Sequence, residues 1–159
     1  MAYEEPIKKV IEERLSPGAV AFDIGACKGE VTRYMIDKGA QVYAFDILQE
    51  NIDHLKKTFP TVHTELIAIS DHVGIVELKG VSGQVNDHMH CILDRPQCRM
   101  TNLSTKVPCT DLGTWCNEHQ IYPDFIKIDV ESAEALILPH LGDSLKRRPT
   151  EAEYFILLG

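Results

Sequence analysis

A chain of 159 residues, 44% apolar and 25% charged, has the size and composition of one soluble domain with one core. Its net charge of −8 excludes a surface that tracks nucleic-acid phosphates, which needs clustered Lys and Arg. No apolar run approaches a membrane span, so a membrane-embedded role is excluded too.

The first 17 residues read as an N-terminal helix, with Ile7, Val10, Ile11 and Leu15 recurring at helical spacing and Ser16-Pro17-Gly18 as its stop. Its start, Met-Ala-Tyr-Glu-Glu-Pro, lacks the basic and then apolar layout of a signal peptide. Together with five irregularly spaced cysteines, this gives the expectation of reduced thiols in a cytoplasmic compartment.

Val20-Ala21-Phe22-Asp23-Ile24 is a short apolar run of the kind that forms a strand covered on both faces. Gly25-Ala26-Cys27-Lys28-Gly29 follows, and then a helical pattern from Glu30 to Lys38 closed by Gly39. Glycines between a strand and a helix let the backbone turn sharply and approach a ligand, while the helix start presents unpaired N–H groups. Such a nucleotide-type site needs an acidic residue about twenty positions on, after the next strand, to hold ribose hydroxyls. The strand Gln41 to Phe45 leads to Asp46 at that distance. NAD is the poorer ligand, because Gly-x-Gly-x-x-Gly is missing.

A helix from about Gln49, with Ile52, Leu55 and Phe59 inward, ends at Pro60. Val62 to Ile69 reads as the third strand, ending at Ser70-Asp71, and Ile75 to Leu78 as a short one. Residues 80 to 106 hold no period and are expected to form an irregular loop that shapes a binding pocket. A brief strand from Lys106 to Thr110 and a helix from Asp111 to His119 come next, with Leu112, Trp115 and Cys116 inward. Asp124 to Glu131 is the fourth core strand, Ala133 to Leu145 a helix interrupted at Pro139, and Tyr154 to Leu158 a fifth strand. Strands alternating with helices give a single α/β domain over residues 1–159. Its expected form is Rossmann-like, with a mostly parallel sheet and helices on both faces.

Four blocks now stand in order: Phe22 to Glu30, Val42 to Asp46, Ala68 to Asp71, and Phe125-Ile126-Lys127-Ile128-Asp129-Val130-Glu131-Ser132-Ala133-Glu134. Over residues 18 to 158 the chain resembles the FkbM-like, class I S-adenosylmethionine-dependent methyltransferases. The resemblance implies a seven-stranded sheet with S-adenosylmethionine as cofactor across the strand ends. It implies that the Gly25 to Gly29 turn, with Ala26, lines the amino-acid part of the cofactor, that Asp46 takes the ribose hydroxyls, and that Asp23 and Ile47 also belong to the cofactor site. Ser70 and Asp71 would lie by the adenine and Asp129 near the transferred methyl. It also implies a small-molecule acceptor, with O-methylation of a hydroxyl on a sugar or metabolite. Against the family pattern, Cys27 stands for Asn, Asp46 for Glu and Ser132 for Gly, and the last two strands are missing. The expectation that follows is an exposed edge at the fifth strand and a homo-oligomer paired through it.

A hydroxyl needs its proton removed during methyl transfer, so Asp129, Glu131, His88 and His90 are the candidate catalytic residues. His88, His90, Cys91 and Cys98 match no standard zinc spacing, and no metal is expected. The rival reading is a non-catalytic or truncated module that binds S-adenosylmethionine.

Overall fold

The structure, a computed structural model, describes residues 4–81, 90–91, 100–130, 133–145 and 155–158. They form two compact units, one of residues 1–66, 121–128 and 148–159, the other of residues 67–120 and 129–147.

The first unit contains α1 (Glu4–Arg14), β1 (Val20–Ile24), α2 (Glu30–Asp37), β2 (Gln41–Asp46), α3 (Gln49–Thr58) and β3 (His63–Leu66). Its all-parallel, five-stranded sheet also takes in β8 (Phe125–Ile128) and β9 (Phe155–Leu158), in the order β3-β2-β1-β8-β9. Within it, α2 and α3 return the chain so that β2 and β3 are each laid parallel to the strand before. Ala21, Val42, Ala44 and Phe125 point into a core shared with Ile7, Ile11, Leu15, Met35, Ile52 and Leu55 of α1 to α3 and their flanks. Residues of the opposite parity, Phe22, Ile24, Phe45, Ile126 and Ile128, are equally buried, which is why these strands are apolar throughout. Phe22 sits between Tyr43 and Phe45 at ring distances of 5.6 and 5.3 Å. Asp124 locks the start of this sheet by exchanging bonds with Val20: each backbone N–H donates at 2.8 Å, one to the Asp124 carboxylate and one to the Val20 carbonyl.

The second unit contains β4 (Ala68–Ser70), β5 (Gly74–Val81), β6 (His90–Cys91), β7 (Met100–Asp111), α4 (Leu112–His119) and α5 (Glu134–Leu145). Its sheet is mixed, ordered β4-β7-β5-β6, with β4 parallel to β7 and the other pairs antiparallel. Asp111 caps α4, accepting from the Thr114 backbone N–H at 2.9 Å and its hydroxyl at 2.6 Å. Burial alone would raise the Asp111 pKa; these bonds outweigh it and leave the carboxyl below its ordinary range.

Two expectations change here. The strand expected over residues 62–69 is two strands, because the chain changes partners at Ile67: β3 pairs with β2, and β4 with β7. Residues 100–106, expected as irregular loop, belong to the twelve-residue β7. Its alternation is masked in sequence by Thr, Asn, Ser and Lys, and its order comes from antiparallel pairing with β5. Among the described residues no helix is long and apolar enough to cross a membrane, and no cluster of His, Cys, Asp or Glu could hold a metal ion.

Candidate cofactor-binding site

β1 ends in a turn that leaves the ordinary backbone regions three times, at Gly25 (φ 78°), Cys27 (φ 51°) and Gly29 (φ 85°). Two of the three are glycine, the residue that tolerates this region without strain. Cys27 adopts it as an L-residue, and a hydrogen bond holds it there: its N–H donates to Asp46 Oδ2 at 2.8 Å. The N–H groups of Gly25 and Ala26 both donate to the Phe45 carbonyl, at 3.0 and 3.1 Å. The turn is thus fastened to the end of β2 by three successive amides. Gly29 caps α2, and any Cβ there would come 2.5 Å from Phe59 and 2.8 Å from Leu55. Glycine at this position therefore serves helix packing as well as the turn.

Asp46 is 7% exposed and accepts three hydrogen bonds. Oδ1 receives the Leu48 N–H at 2.9 Å and the Asn51 side-chain amide at 3.0 Å; among the described residues Oδ2 receives only Cys27. A carboxylate has about four acceptor positions, so one remains, on Oδ2. Asp46 was expected to hold the ribose hydroxyls, and this is the acceptor position it has to offer them. Asn51, 2% exposed, is a member of this site that sequence reasoning missed, and its own Oδ1 is buried without a hydrogen-bond partner.

Asp23, also expected at the cofactor, stands beneath the turn. It is fully buried, with Thr32 Oγ1 donating to Oδ2 at 2.6 Å and Lys127 Nζ 3.1 Å from Oδ1. Lys127 Nζ also donates to the Gly25 carbonyl at 2.9 Å. Asp23 and Lys127 face each other in register on β1 and β8, so the pair braces the underside of the glycine turn. Thr32 and Lys127 were not read as site residues. The signal for Lys127 was a lone cation inside the apolar Phe125-Ile126-Lys127-Ile128 run, directly beside the strand that holds Asp23.

The Cys27 thiol is pushed up by burial first, with Glu30 and Asp46 adding to the effect. It is therefore a protonated lining group and not a thiolate. Lys28 on the same turn lies 3.5 Å from Glu50 of α3.

Ser70, Asp71 and Asp129 lie in the second unit. Ser70 is buried and donates to Asp71 Oδ1 at 3.2 Å, and Asp71 is exposed. Asp129 is half-buried just past β8. Beyond it, the Glu134 carboxylate takes the Val130 N–H at 3.0 Å, which fastens the entry to α5. His88 and Glu131 lie outside the described residues, and of His90 only the backbone, in β6, is described.

An adenosine-bearing group fits the first unit's donor set: an acidic acceptor with one open position, beside a glycine turn and the first amides of a helix. The comparisons point the same way. The methyltransferase FkbM domain matches residues 23–155. A search of curated proteins finds no match. Among solved structures, the S-adenosylmethionine-dependent methyltransferase from Agrobacterium tumefaciens shares 11% identity at a TM-score of 0.55, over 99% of this chain and 43% of its own. A Streptococcus mutans protein in complex with SAH shares 12% identity at a TM-score of 0.47, over 94% of this chain and 65% of its own. A TehB-like methyltransferase from Corynebacterium glutamicum shares 25% identity at a TM-score of 0.35, over 37% of this chain and 32% of its own. The chain thus spans roughly a third to two thirds of the length of these structures, and the Agrobacterium likeness shows the fold. With the domain match covering most of the sequence, the chain belongs to the FkbM methyltransferase family, whose methyl donor is S-adenosylmethionine.

Proposed function

We propose that this chain binds S-adenosylmethionine in the first unit and directs its methyl group to a hydroxyl oxygen of a small molecule, a sugar or a metabolite. The observation that carries the reading is the tie between the glycine turn and Asp46. It holds an acidic acceptor at the end of β2 and leaves one lone-pair position open. Asp46 would accept a ribose hydroxyl, and the Gly25–Gly29 turn would line the amino-acid portion. When bound, the cofactor supplies a methyl already activated by its sulfonium. The protein's own work is then to orient the acceptor, exclude water and take the hydroxyl proton. Asp129 is the described candidate for that proton; Glu131, His88 and His90 are the others. Cys27 and Cys109 are both thiols, which supports a reducing, cytoplasmic setting.

Titration calorimetry with S-adenosylmethionine, followed by transfer from the labelled donor to a panel of hydroxyl acceptors, tests the proposal. Binding with turnover on any hydroxyl supports it, and absence of binding removes it. Binding without turnover favours the second reading, a binding module without catalysis.

A further inference from the structure

Asp71, expected beside the adenine, also belongs to a set of side chains in the second unit that proton removal from a hydroxyl does not call on. His72 lies in the bend between β4 and β5, and its ring stands between an acid and a thiol. Nδ1 is 2.6 Å from Asp71 Oδ1, and Nε2 is 3.6 Å from Cys109 Sγ. Asp71 Oδ1 also receives the Ser70 hydroxyl at 3.2 Å, a second donor to the same oxygen. An ionised carboxylate can only accept, so the proton sits on Nδ1 and the Nε2 lone pair is directed at the sulfur.

The backbone imposes this grouping. Cys109 on β7 pairs with Ala68 of β4 and with Gly74 of β5, so the short connection between β4 and β5 closes back over it. The ring lies against the start of β5: a Cβ at Gly74 would meet it in ordinary contact, 3.4 Å from the His72 Cδ2 and 3.7 Å from Nε2. Nucleophile, base and orienting acid follow one another within hydrogen-bond reach, the arrangement that activates a sulfur or oxygen on unrelated folds.

We propose that Cys109 is a nucleophilic thiol, served by His72 as base and Asp71 as its orienting acid, that takes up one half of a low-molecular-weight disulfide. As Cys109 Sγ attacks, His72 Nε2 accepts the thiol proton and the imidazolium is held by Asp71. The S–S bond of the small disulfide breaks, a bond forms between Sγ and one of its sulfurs, and the proton passes from Nε2 to the departing thiolate. One disulfide and one thiol are consumed, and one mixed disulfide and one thiol are made, with no outside oxidant.

The surroundings suit this order of events. Burial pushes the Cys109 thiol up, so the sulfur rests protonated and needs a base. The bond to Asp71 holds His72 above its ordinary value, which stabilises the imidazolium the step creates. Facing His72 are the Asp71 carboxylate and the Cys109 thiol; the thiol's other acceptor is the His72 carbonyl at 3.4 Å. Cys109 is 3% exposed and the His72 side chain 52% exposed, so the imidazole is a solvent-facing cover and the reagent must be slender.

The test is the reaction of the full chain with 4,4′-dithiodipyridine, with thiopyridine release followed by absorbance and each cysteine's occupancy read by peptide mass spectrometry. Cys109 is expected to be labelled, with a rate that bends across the histidine titration. His72→Gln is expected to slow Cys109 at least about tenfold, a modest share of what a positioned base supplies, and to remove that bend. Asp71→Asn, a change at an exposed side chain, should slow it in the same direction and guards against misfolding of the first variant. Failure to label Cys109 in the native chain overturns the proposal. So does a loss of less than about tenfold in His72→Gln, or an unchanged pH profile. A faster rate in His72→Gln would show that the ring only covers the sulfur, and overturns it equally.

Discussion

Lys127 and Asp23 lie side by side on β8 and β1, with Nζ 3.1 Å from Oδ1 and side-chain exposures of 4% and 0%. Two charges removed from water this fully are tolerated only as a pair, and each has further bonds, from Thr32 to the acid and from Lys127 to the Gly25 carbonyl. Lys127→Met leaves a buried carboxylate without its cation and is expected to cost about 3–5 kcal/mol in urea unfolding. The double change Asp23→Asn with Lys127→Met is expected to cost less than Lys127→Met alone. Equal or greater loss in the double variant would show that the pair does not act as a unit.

Asp46→Ala removes the acceptor for Cys27, Leu48 and Asn51 as well as the one open toward ligand. S-adenosylmethionine affinity should fall by about 1.5–3 kcal/mol, the range for a hydrogen bond to a charged group. Calorimetry on folded variant reads this directly, and unchanged affinity would remove Asp46 from the site.

Gly29 and Gly18 form a natural control for each other. Both have positive φ, at 85° and 79°, yet an added Cβ meets Phe59 and Leu55 at Gly29 and nothing within 4 Å at Gly18. Gly18→Ala is expected to cost only the backbone penalty, about 1–2 kcal/mol. Gly29→Ala adds crowding of roughly 1–3 kcal/mol. Comparable denaturant midpoints for the two variants would contradict the tight packing of α3 on the turn.

The Asp71–His72 pair gives a pH signature. The bond to His72 lowers the Asp71 pKa, and the same bond raises that of His72. A raised histidine contributes stability below its unfolded pKa and loses it as pH rises through the folded value. A lowered carboxyl contributes above its unfolded pKa and loses it as pH falls through the folded value. The contribution is therefore largest between the two titrations and shrinks on either side. An NMR titration of the His72 ring is expected to give a midpoint above the ordinary histidine value, and Asp71→Asn should lower it. Both groups face solvent, so the effect on global stability is expected to be small.

The first sheet was legible because its signals are local. An apolar run, two glycines, a helix and a second run ending in Asp46 all fall within a short stretch of chain, and β1, α2 and β2 lie where these signals put them. The change of partner at Ile67 was not legible, since nothing in Thr64-Glu65-Leu66-Ile67-Ala68-Ile69 breaks a strand pattern. Lys127 and Asn51 escaped for another reason. Their roles depend on which residue stands across a strand or one turn along a helix, and that is settled by register and not by type. Cys109 and His72 lie 37 positions apart and meet only because β4, β7 and β5 are neighbours.

On the proposed reading, the open position on Asp46 also sets what the chain can sense in its cofactor. Leu48 and Asn51 fill Oδ1, and Oδ2 has room for a single further donor beside Cys27. A longer acidic arm could reach out and chelate a vicinal diol, but this shorter one, tied into its own turn, can count only one hydroxyl. The two monodeoxy analogues of S-adenosylmethionine should therefore be unequal ligands. One should bind like the parent, the other about as weakly as the parent binds to Asp46→Ala, and the one that loses affinity identifies the hydroxyl that Asp46 reads.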